Sequence, residues 1–168
     1  NIREAAAEQC VDWINGAFLM VKKTAIQKVG MLDEDFFLYA EEIEWCSRLK
    51  KAGCLCVYGN LHVVHLEGES INRVTQTLQK GYQDFTGLKG LQLMTSQLVR
   101  IRKQYGKAYF LFHLFVFTIE IPIFFLAGIF DNLFHGKYPF RHWEALKNYT
   151  KNVGKVWQLS SIICYNKP

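Results

Sequence analysis

The sequence lacks the cysteine spacing of a structural zinc site, although it contains five cysteines in 168 residues. There is no Cys-x-x-Cys pair, and Cys54 and Cys56 alternate along a predicted strand, so we expect both to pack as small apolar side chains. An odd number of cysteines without a recognisable signal peptide indicates a reducing compartment. Internal repeats and low-complexity segments are also absent, which excludes a repeat architecture.

A recognised nucleic-acid-binding motif is lacking too, although the chain carries a net charge of +5. Basic and aromatic residues instead flank a long apolar run from Tyr109 to Phe130, a pattern typical of the membrane interface. We therefore expect a membrane surface as a partner and no nucleic acid. The alternative is that the lysines only keep the surface solvated.

The apolar run is long enough to cross a hydrocarbon core, which takes about 20 helical residues. Glu120 and Pro122 interrupt it, and a charged residue at mid-membrane costs about 2.5 to 3.5 kcal/mol on insertion scales. Two interfacial helices separated at Pro122 are therefore expected at least as much as a single span. Basic residues on both flanks favour a segment that stays at the cytoplasmic face.

The most informative segment runs from Val29 to Gly53, where an aromatic turn leads into clustered carboxylates. The periodicity predicts an amphipathic helix that begins near Glu42. On its polar face Glu44 and Arg48 stand four residues apart and can form an ion pair. Its apolar face is predicted to consist of Ile43, Cys46 and Leu49.

The start of this helix presents Glu41 and Glu42 beside the aromatic side chains of the preceding turn, Phe36, Phe37 and Tyr39. Such surroundings desolvate a carboxylate, raise its pKa and prepare it for general base catalysis. The alternative is that acidic residues at a helix N-terminus only complement the helix dipole.

The motifs around this helix resemble one protein family in their order. A Trp-x-x-Gly-Ala element begins at Trp13, a Gly-x-x-Asp-Glu turn with paired phenylalanines leads into the acidic helix, an Ala-Gly pair follows it, and a histidine followed by glycine and serine begins at His65. The same order is found in family 2 inverting glycosyltransferases of the GT-A fold, especially rhamnosyltransferase-like bacterial enzymes of surface-polysaccharide assembly. The resemblance extends from Val11 to Ser70.

The resemblance implies roles for the acidic residues. Glu42 stands where the family has the aspartate that deprotonates the acceptor hydroxyl, and Glu41 matches the glutamate before it. The catalytic base is therefore expected to be Glu42 or, one position away, Glu41. Glutamate has the same chemistry as aspartate, but its extra methylene changes the reach to the acceptor oxygen. Glu44 matches an acid one turn further on and is expected to contact substrate.

The resemblance also assigns residues on either side of the helix. Asp12 and Trp13 match the loop that borders the acceptor, and Gly16 and Ala17 match the small residues that let the backbone approach the donor sugar. His65 matches the histidine that completes the coordination of a divalent metal, and a neutral imidazole suits Mn²⁺ better than Mg²⁺. The structural alternatives are that Gly16 only opens a strand and that Trp13 only fills the core.

A nucleotide-binding half is the largest absence. Alternating strands and helices that end in an Asp-x-Asp metal motif are expected ahead of the acceptor half, and nothing before Val11 supplies them. Asp33-Glu34-Asp35 spells that motif, but it lies in the turn before the acidic helix, where Asp33 is expected to act as a turn or capping residue. We therefore expect the C-terminal portion of a longer enzyme, inactive on its own.

The expected fold is α/β, the acceptor-side half of a GT-A domain followed by a helical, membrane-associated tail. Residues 1–80 form that half, with an apolar strand over Val11–Lys23. Residues 81–107 form a linking amphipathic helix, predicted over Gly81 to Tyr105, and residues 108–168 form the apolar and basic tail.

The function implied for the complete enzyme is transfer of a sugar, with inversion, from a nucleotide-diphosphate donor to a glycan or lipid-linked acceptor in cell-surface polysaccharide biosynthesis. Rhamnose from dTDP-rhamnose is one candidate, and a divalent metal, Mn²⁺ or Mg²⁺, is the implied cofactor. The expected location is the cytoplasmic face of the bacterial inner membrane. The alternative from another class is a non-catalytic, membrane-associated binding module derived from such an enzyme.

Overall fold

The computed structural model describes residues 7–64 and 85–165. The chain divides into two compact units, residues 1–80 and residues 81–168. Within the described residues, the first unit contains two short strands and two short helices, and the second contains three long helices. Most of the described chain is therefore helical.

The first unit is built around helix α2 (Glu41–Leu49). Strand β1 (Gln9–Val11) pairs antiparallel with strand β2 (Leu55–Val57), and helix α1 (Lys23–Val29) packs against α2. The predicted helix is thus confirmed with Cys46 and Leu49 on its buried face, but Ile43 is only partly buried and the core contains Trp45 instead. Its buried face joins β2 in a small core of four residues: Trp45, Cys46, Leu49 and Leu55.

The strand predicted over Val11–Lys23 is wrong beyond its first residue. Pairing ends at Val11, and the chain then turns at Asn15, whose side chain accepts a hydrogen bond from the Ala17 N–H group at 2.9 Å. The end of this segment begins helix α1, which the sequence did not predict and whose Ile26 packs against the core under α2. A short apolar run fits a strand or a helix, and long-range contacts decide between them.

The second unit packs helices α3 (Leu88–Tyr105), α4 (Lys107–Phe134) and α5 (Trp143–Tyr165) against one another. The helix predicted from Gly81 begins at Leu88, and its predicted start lies outside the described residues. Helix α3 packs within this bundle. The buried core consists of Met94, Leu98, Phe110, Leu114, Phe117, Tyr149, Val153, Val156 and Ile163.

The break expected at Pro122 is wrong, since α4 continues through it. A proline removes one backbone donor, but Phe117 and Ile121 hold the flanking turns against the bundle core. Helix α4 is long and apolar enough to cross a membrane, with a mean hydropathy of 2.1. Glu120, which would be costly in lipid, accepts a hydrogen bond from the Tyr149 hydroxyl at 2.5 Å.

Candidate active site

The backbone just before α2 has an unusual conformation. Tyr39 and Ala40 have φ angles of 69° and 66°, in the left-handed region that residues other than glycine rarely adopt. Ala40 is buried, and its carbonyl accepts the Glu44 N–H group at 3.0 Å, so it is fixed as the residue from which α2 starts. Backbone strain of this kind clusters at functional sites. Here it sets the position of Glu41 and Glu42.

The turn before α2 is fixed by a hydrogen bond at Asp33 and by the buried ring of Phe36. The Asp33 side chain accepts a hydrogen bond from the Asp35 N–H group at 3.0 Å, which confirms Asp33 as a turn residue. Phe36 is buried, whereas Phe37 is 87% exposed. The expectation that Phe37 helps to desolvate the carboxylates is therefore wrong, because its ring lies in solvent.

Glu42 lies against Gly16. A Cβ atom at Gly16 would stand 3.4 Å from the Glu42 Cβ atom and 4.0 Å from its carboxyl carbon. These are ordinary van der Waals distances, so the Gly16 backbone lies directly beside the Glu42 side chain. Burial, and to a smaller extent the charge of Glu41, raise the pKa of the Glu42 carboxyl. A partly desolvated carboxylate with a raised pKa is suited to accept a proton.

Glu41 has an unusual environment as well. Its Oε2 atom is buried and makes no hydrogen bond within the described part of the chain. Buried polar atoms are nearly always satisfied, so an orphaned carboxylate oxygen calls for an explanation. A hydroxyl group supplied by a bound molecule would satisfy it.

Glu44 forms the predicted ion pair with Arg48. The Arg48 Nε and Nη2 atoms donate to the Glu44 carboxylate at 2.8 Å and 2.7 Å. The same guanidinium donates to the carbonyls of Val29 and Met31, so it clamps the end of α1 to α2. Glu44 is buried and has a structural role in this clamp, while its contact with substrate stays a prediction.

The loop after β1 is attached to α2 and to the residue that follows it. Asp12 forms an ion pair with Lys50, which lowers the pKa of the Asp12 carboxyl through a hydrogen bond and the charge of the lysine. Further along the loop, the Cys46 thiol contacts the Ile14 carbonyl at 3.8 Å. Trp13 is 48% exposed, so the alternative that it only fills the core is wrong. The loop thus carries an exposed aromatic side chain.

The sequence did not predict the role of Lys50. It stands 38 residues from Asp12, and only the pairing of β1 with β2 brings the ends of these segments together. The sequence separation of Asp12 and Lys50 therefore gave no indication of their ion pair. Gly16 was predicted to be a site residue, but its contact with Glu42 was not.

The predicted metal ligand His65 lies outside the described residues. Within residues 7–64 and 85–165, the candidate ligands that come together in a group of three are the thiols of Cys10, Cys54 and Cys56. Thiols do not suit Mg²⁺ or Mn²⁺, which prefer oxygen ligands. The expected divalent metal cofactor thus stays a prediction.

Curated relatives of this chain are glycosyltransferases. The N-acetylglucosaminyl-diphospho-decaprenol L-rhamnosyltransferase of Mycobacterium tuberculosis is 38% identical over 68 residues, which are 40% of this chain and 22% of that protein. The rhamnosyltransferase WbbL of Escherichia coli is 33% identical over 60 residues, 35% of this chain and 23% of that protein. The low-salt glycan biosynthesis hexosyltransferase Agl10 of Haloferax volcanii is 39% identical over 41 residues, 24% of this chain and 13% of that protein.

The chain spans about a fifth of the length of the two rhamnosyltransferases that it matches. No protein-family model matches the chain, and no solved structure matches it. The similarities support a glycosyltransferase role in general.

The raised pKa of Glu42 predicts a pH-dependent effect on stability. Folding raises this pKa, so the carboxyl favours the folded state at pH values below its unfolded pKa and loses that contribution as the pH rises through the folded pKa. At pH 7 the charged carboxylate therefore costs stability. Glu42→Gln should increase the protection of the α2 amides against hydrogen exchange at pH 7, and the gain should shrink as the pH approaches 4.5, the usual pKa of a glutamate.

The exposed Glu34 provides the matched control, since Glu34→Gln removes a carboxylate from the preceding turn without relieving any burial. Protection factors correct for the intrinsic pH dependence of exchange. A Glu42→Gln variant that is less protected than the wild type at pH 7 would contradict a desolvated Glu42.

Proposed function

We propose that this chain is the acceptor-side portion of an inverting glycosyltransferase of the GT-A fold, family 2. The complete enzyme would transfer a sugar such as rhamnose from a nucleotide-diphosphate donor to a glycan or lipid-linked acceptor. The observation that carries the proposal is the partly buried Glu42 carboxyl in the space beside Gly16. The relatives, which are named rhamnosyltransferases and a hexosyltransferase, support this reaction class.

In the proposed reaction Glu42 acts as the general base. Its carboxylate takes the proton of the acceptor hydroxyl as that oxygen attacks the anomeric carbon of the donor sugar. One C–O bond forms, the bond to the diphosphate breaks, and the nucleotide diphosphate leaves on the opposite face, which inverts the configuration. The raised pKa makes Glu42 a stronger base than an exposed carboxylate.

Glu41 is proposed to assist at the same acceptor. Among the residues that the structure describes, its buried Oε2 atom has no hydrogen-bond partner, and a second sugar hydroxyl would satisfy it. Trp13 is exposed on the loop after β1 and offers an apolar face for a sugar ring. Its neighbour Asp12 is proposed to border the same ring. Ala17, in the turn after Gly16, is proposed to lie next to the donor sugar. These roles favour an enzyme over a non-catalytic binding module, since a binding module does not require a desolvated carboxylate.

The donor side is proposed to lie in another part of the longer protein. The expected nucleotide-binding half, with its Asp-x-Asp motif, would hold the donor diphosphate and a divalent metal, Mn²⁺ or Mg²⁺. The metal would neutralise charge on the leaving diphosphate. His65 is proposed as a further ligand of that metal. No step assigned to Glu42 or Glu41 depends on this metal.

Substitution of the base tests the proposed reaction. In the full-length enzyme, Glu42→Gln should lower kcat by about 10² to 10⁴-fold, the usual contribution of general base catalysis. Donor affinity should stay nearly unchanged, because the amide keeps the shape but cannot accept a proton at neutral pH. Release of nucleoside diphosphate measures turnover, and calorimetric titration with nucleotide sugars measures donor affinity.

Two further variants sharpen this test. Glu34→Gln, in an exposed position of the same turn, should leave kcat unchanged. Glu41→Gln should lower kcat less than Glu42→Gln does. If Glu41→Gln abolishes turnover and Glu42→Gln does not, the base is Glu41.

We also infer that the helical bundle attaches the enzyme to a membrane, at the cytoplasmic face of a bacterial inner membrane. Helix α4 buries one face, including Phe110, Leu114 and Phe117, in the bundle core. Its other face carries apolar side chains that are 43% to 63% exposed and spaced three or four residues apart. This exposed stripe consists of Phe112, Phe115, Ile119, Ile123, Leu126 and Phe130. Contiguous apolar surface of this extent is typical of a membrane or protein contact.

The packing of the bundle favours a helix that lies in the interface over one that crosses the bilayer. Tyr149 of α5 contacts Glu120 near the middle of α4. Lys147 and Lys151 lie within one turn of Tyr149 and are exposed. If α4 crossed the membrane, both lysines would lie near its centre, at a cost of about 2.5 to 3.5 kcal/mol each. In the interface they can stay in water while the stripe enters the lipid.

Flotation with liposomes tests this inference. The protein should float with anionic vesicles, and raising the salt should weaken binding only in part, because salt screens basic residues but not apolar insertion. The triple change Phe115→Ser, Ile119→Ser and Ile123→Ser should reduce partitioning by at least about tenfold, given about 1.5 to 3 kcal/mol for burying one such side chain.

The matched control is Leu88→Ser, which removes an exposed apolar side chain at the start of α3 and should not change partitioning. A protein that stays soluble without detergent and does not bind anionic vesicles would contradict membrane attachment. The stripe would then have to contact protein.

A further inference from the structure

Three cysteines meet on one face of the β1–β2 pair. Cys10 stands directly opposite Cys56 in the antiparallel register, and Cys54 lies two residues before Cys56, just ahead of β2. Their three Sγ atoms lie within 4.8 Å of one another. The expectation that Cys54 and Cys56 pack as small apolar side chains is wrong for Cys54, which is exposed.

In the structure Cys10 and Cys54 form a disulfide, and their Cα atoms are 6.3 Å apart. Cys56 is a partly buried free thiol beside it. The sequence carried no sign of this group, because 44 residues separate Cys10 from Cys54 and only strand pairing brings them together. Spacing rules for zinc sites detect ligands that are close in sequence.

We propose that, once the disulfide is reduced, Cys10, Cys54 and Cys56 bind one thiophilic divalent cation, with zinc as the natural candidate. Thiolates are the soft ligands that zinc prefers, and zinc accepts three protein ligands with water in the fourth position. Zn–S bonds of about 2.3 Å in a tetrahedron place the sulfurs about 3.8 Å apart. After reduction the Cys10 and Cys54 sulfurs must move apart from bonding distance to about 3.8 Å, and the Cys56 sulfur, which lies within 4.8 Å of both, must approach by about 1 Å at most.

The two states interconvert by balanced chemistry. A dithiol reductant gives two electrons and two protons to the Cys10–Cys54 disulfide and becomes a disulfide itself. The three thiols then bind the cation as thiolates and release their protons to solvent. Cys10 and Cys54 are exposed, so water has access to the fourth position. Oxidation by a small disulfide reverses the sequence and expels the cation.

The disulfide and the metal site would each link β1 to the segment that contains β2. This link would help to fix the position of the loop after β1, which is proposed to border the acceptor. Asp12 directly follows β1 and pairs with Lys50, which lies between α2 and β2. Strands of three residues are too short to hold this arrangement firmly by backbone hydrogen bonds alone. A metal site would replace the disulfide as the link in a reducing compartment. The site stands independently of the proposed glycosyltransferase reaction.

The other cysteines supply the controls. Cys46 is fully buried in the core under α2 and cannot reach this face, and Cys164 lies in the second unit. Cys164→Ser therefore removes a thiol without touching the site. Cys56→Ser removes one ligand but leaves the Cys10–Cys54 pair intact.

Cobalt titration of the fully reduced, metal-free chain under anaerobic conditions tests the proposal. Co²⁺ should bind with a stoichiometry of one and give the intense near-ultraviolet absorption of cobalt–thiolate bonds, and Zn²⁺ should displace it. Cys56→Ser should weaken Co²⁺ binding at least tenfold, and Cys164→Ser should not change it. Circular dichroism reports whether each variant is folded.

The oxidised wild-type chain gives a comparison that needs no substitution. With the Cys10–Cys54 disulfide intact, the cobalt–thiolate absorption should be absent, and it should return after treatment with a dithiol reductant. A reduced chain that shows no cobalt–thiolate absorption overturns the proposal. Equal Co²⁺ affinity of the wild type and Cys56→Ser also overturns it.

Discussion

The left-handed backbone at Tyr39 and Ala40 is the constraint on which the candidate active site depends. Each such residue costs about 1 to 3 kcal/mol and persists only where its surroundings enforce it. Here buried Ala40 and buried Phe36 enforce it from the turn, and the start of α2 enforces it from the helix. A right-handed backbone at these two positions would extend α2 at its N-terminus and redirect the turn that leads into it.

The remaining contacts of the first unit keep this arrangement in place. The Arg48 guanidinium joins the buried Glu44 to the end of α1, and the Trp45 indole donates to the Gly30 carbonyl at 2.9 Å. Truncating Arg48 would leave a buried carboxylate without its partner, which is far more costly than the loss of an exposed ion pair. Glu44 thus stabilises the fold through its ion pair with Arg48, while the Glu42 carboxylate remains available to accept a proton.

Local features of this fold could be predicted from the sequence, and long-range ones could not. The spacing predicted α2, its buried Cys46 and Leu49, and the ion pair of Glu44 with Arg48, because helical periodicity places these residues without reference to the rest of the chain. Contacts between distant segments, such as Gly16 with Glu42, Asp12 with Lys50 and Cys10 with Cys54, depend on strand pairing that no local pattern encodes. Likewise, packing in the bundle overrides the tendency of Pro122 to break α4.

The proposed reaction requires a Glu42 carboxyl that the fold desolvates, and the titration of this carboxyl tests the requirement most directly. Carbon-13 labelling of glutamate side chains allows each carboxyl group to be followed by NMR as the pH changes, and the spectrum of a Glu42→Gln variant assigns the signal. We predict that the pKa of Glu42 lies above 4.5, the usual value for this side chain. A Glu42 that titrates at or below 4.5 would contradict its role as the base, because it would show a solvated or ion-paired carboxylate without the basicity that the proposed reaction requires.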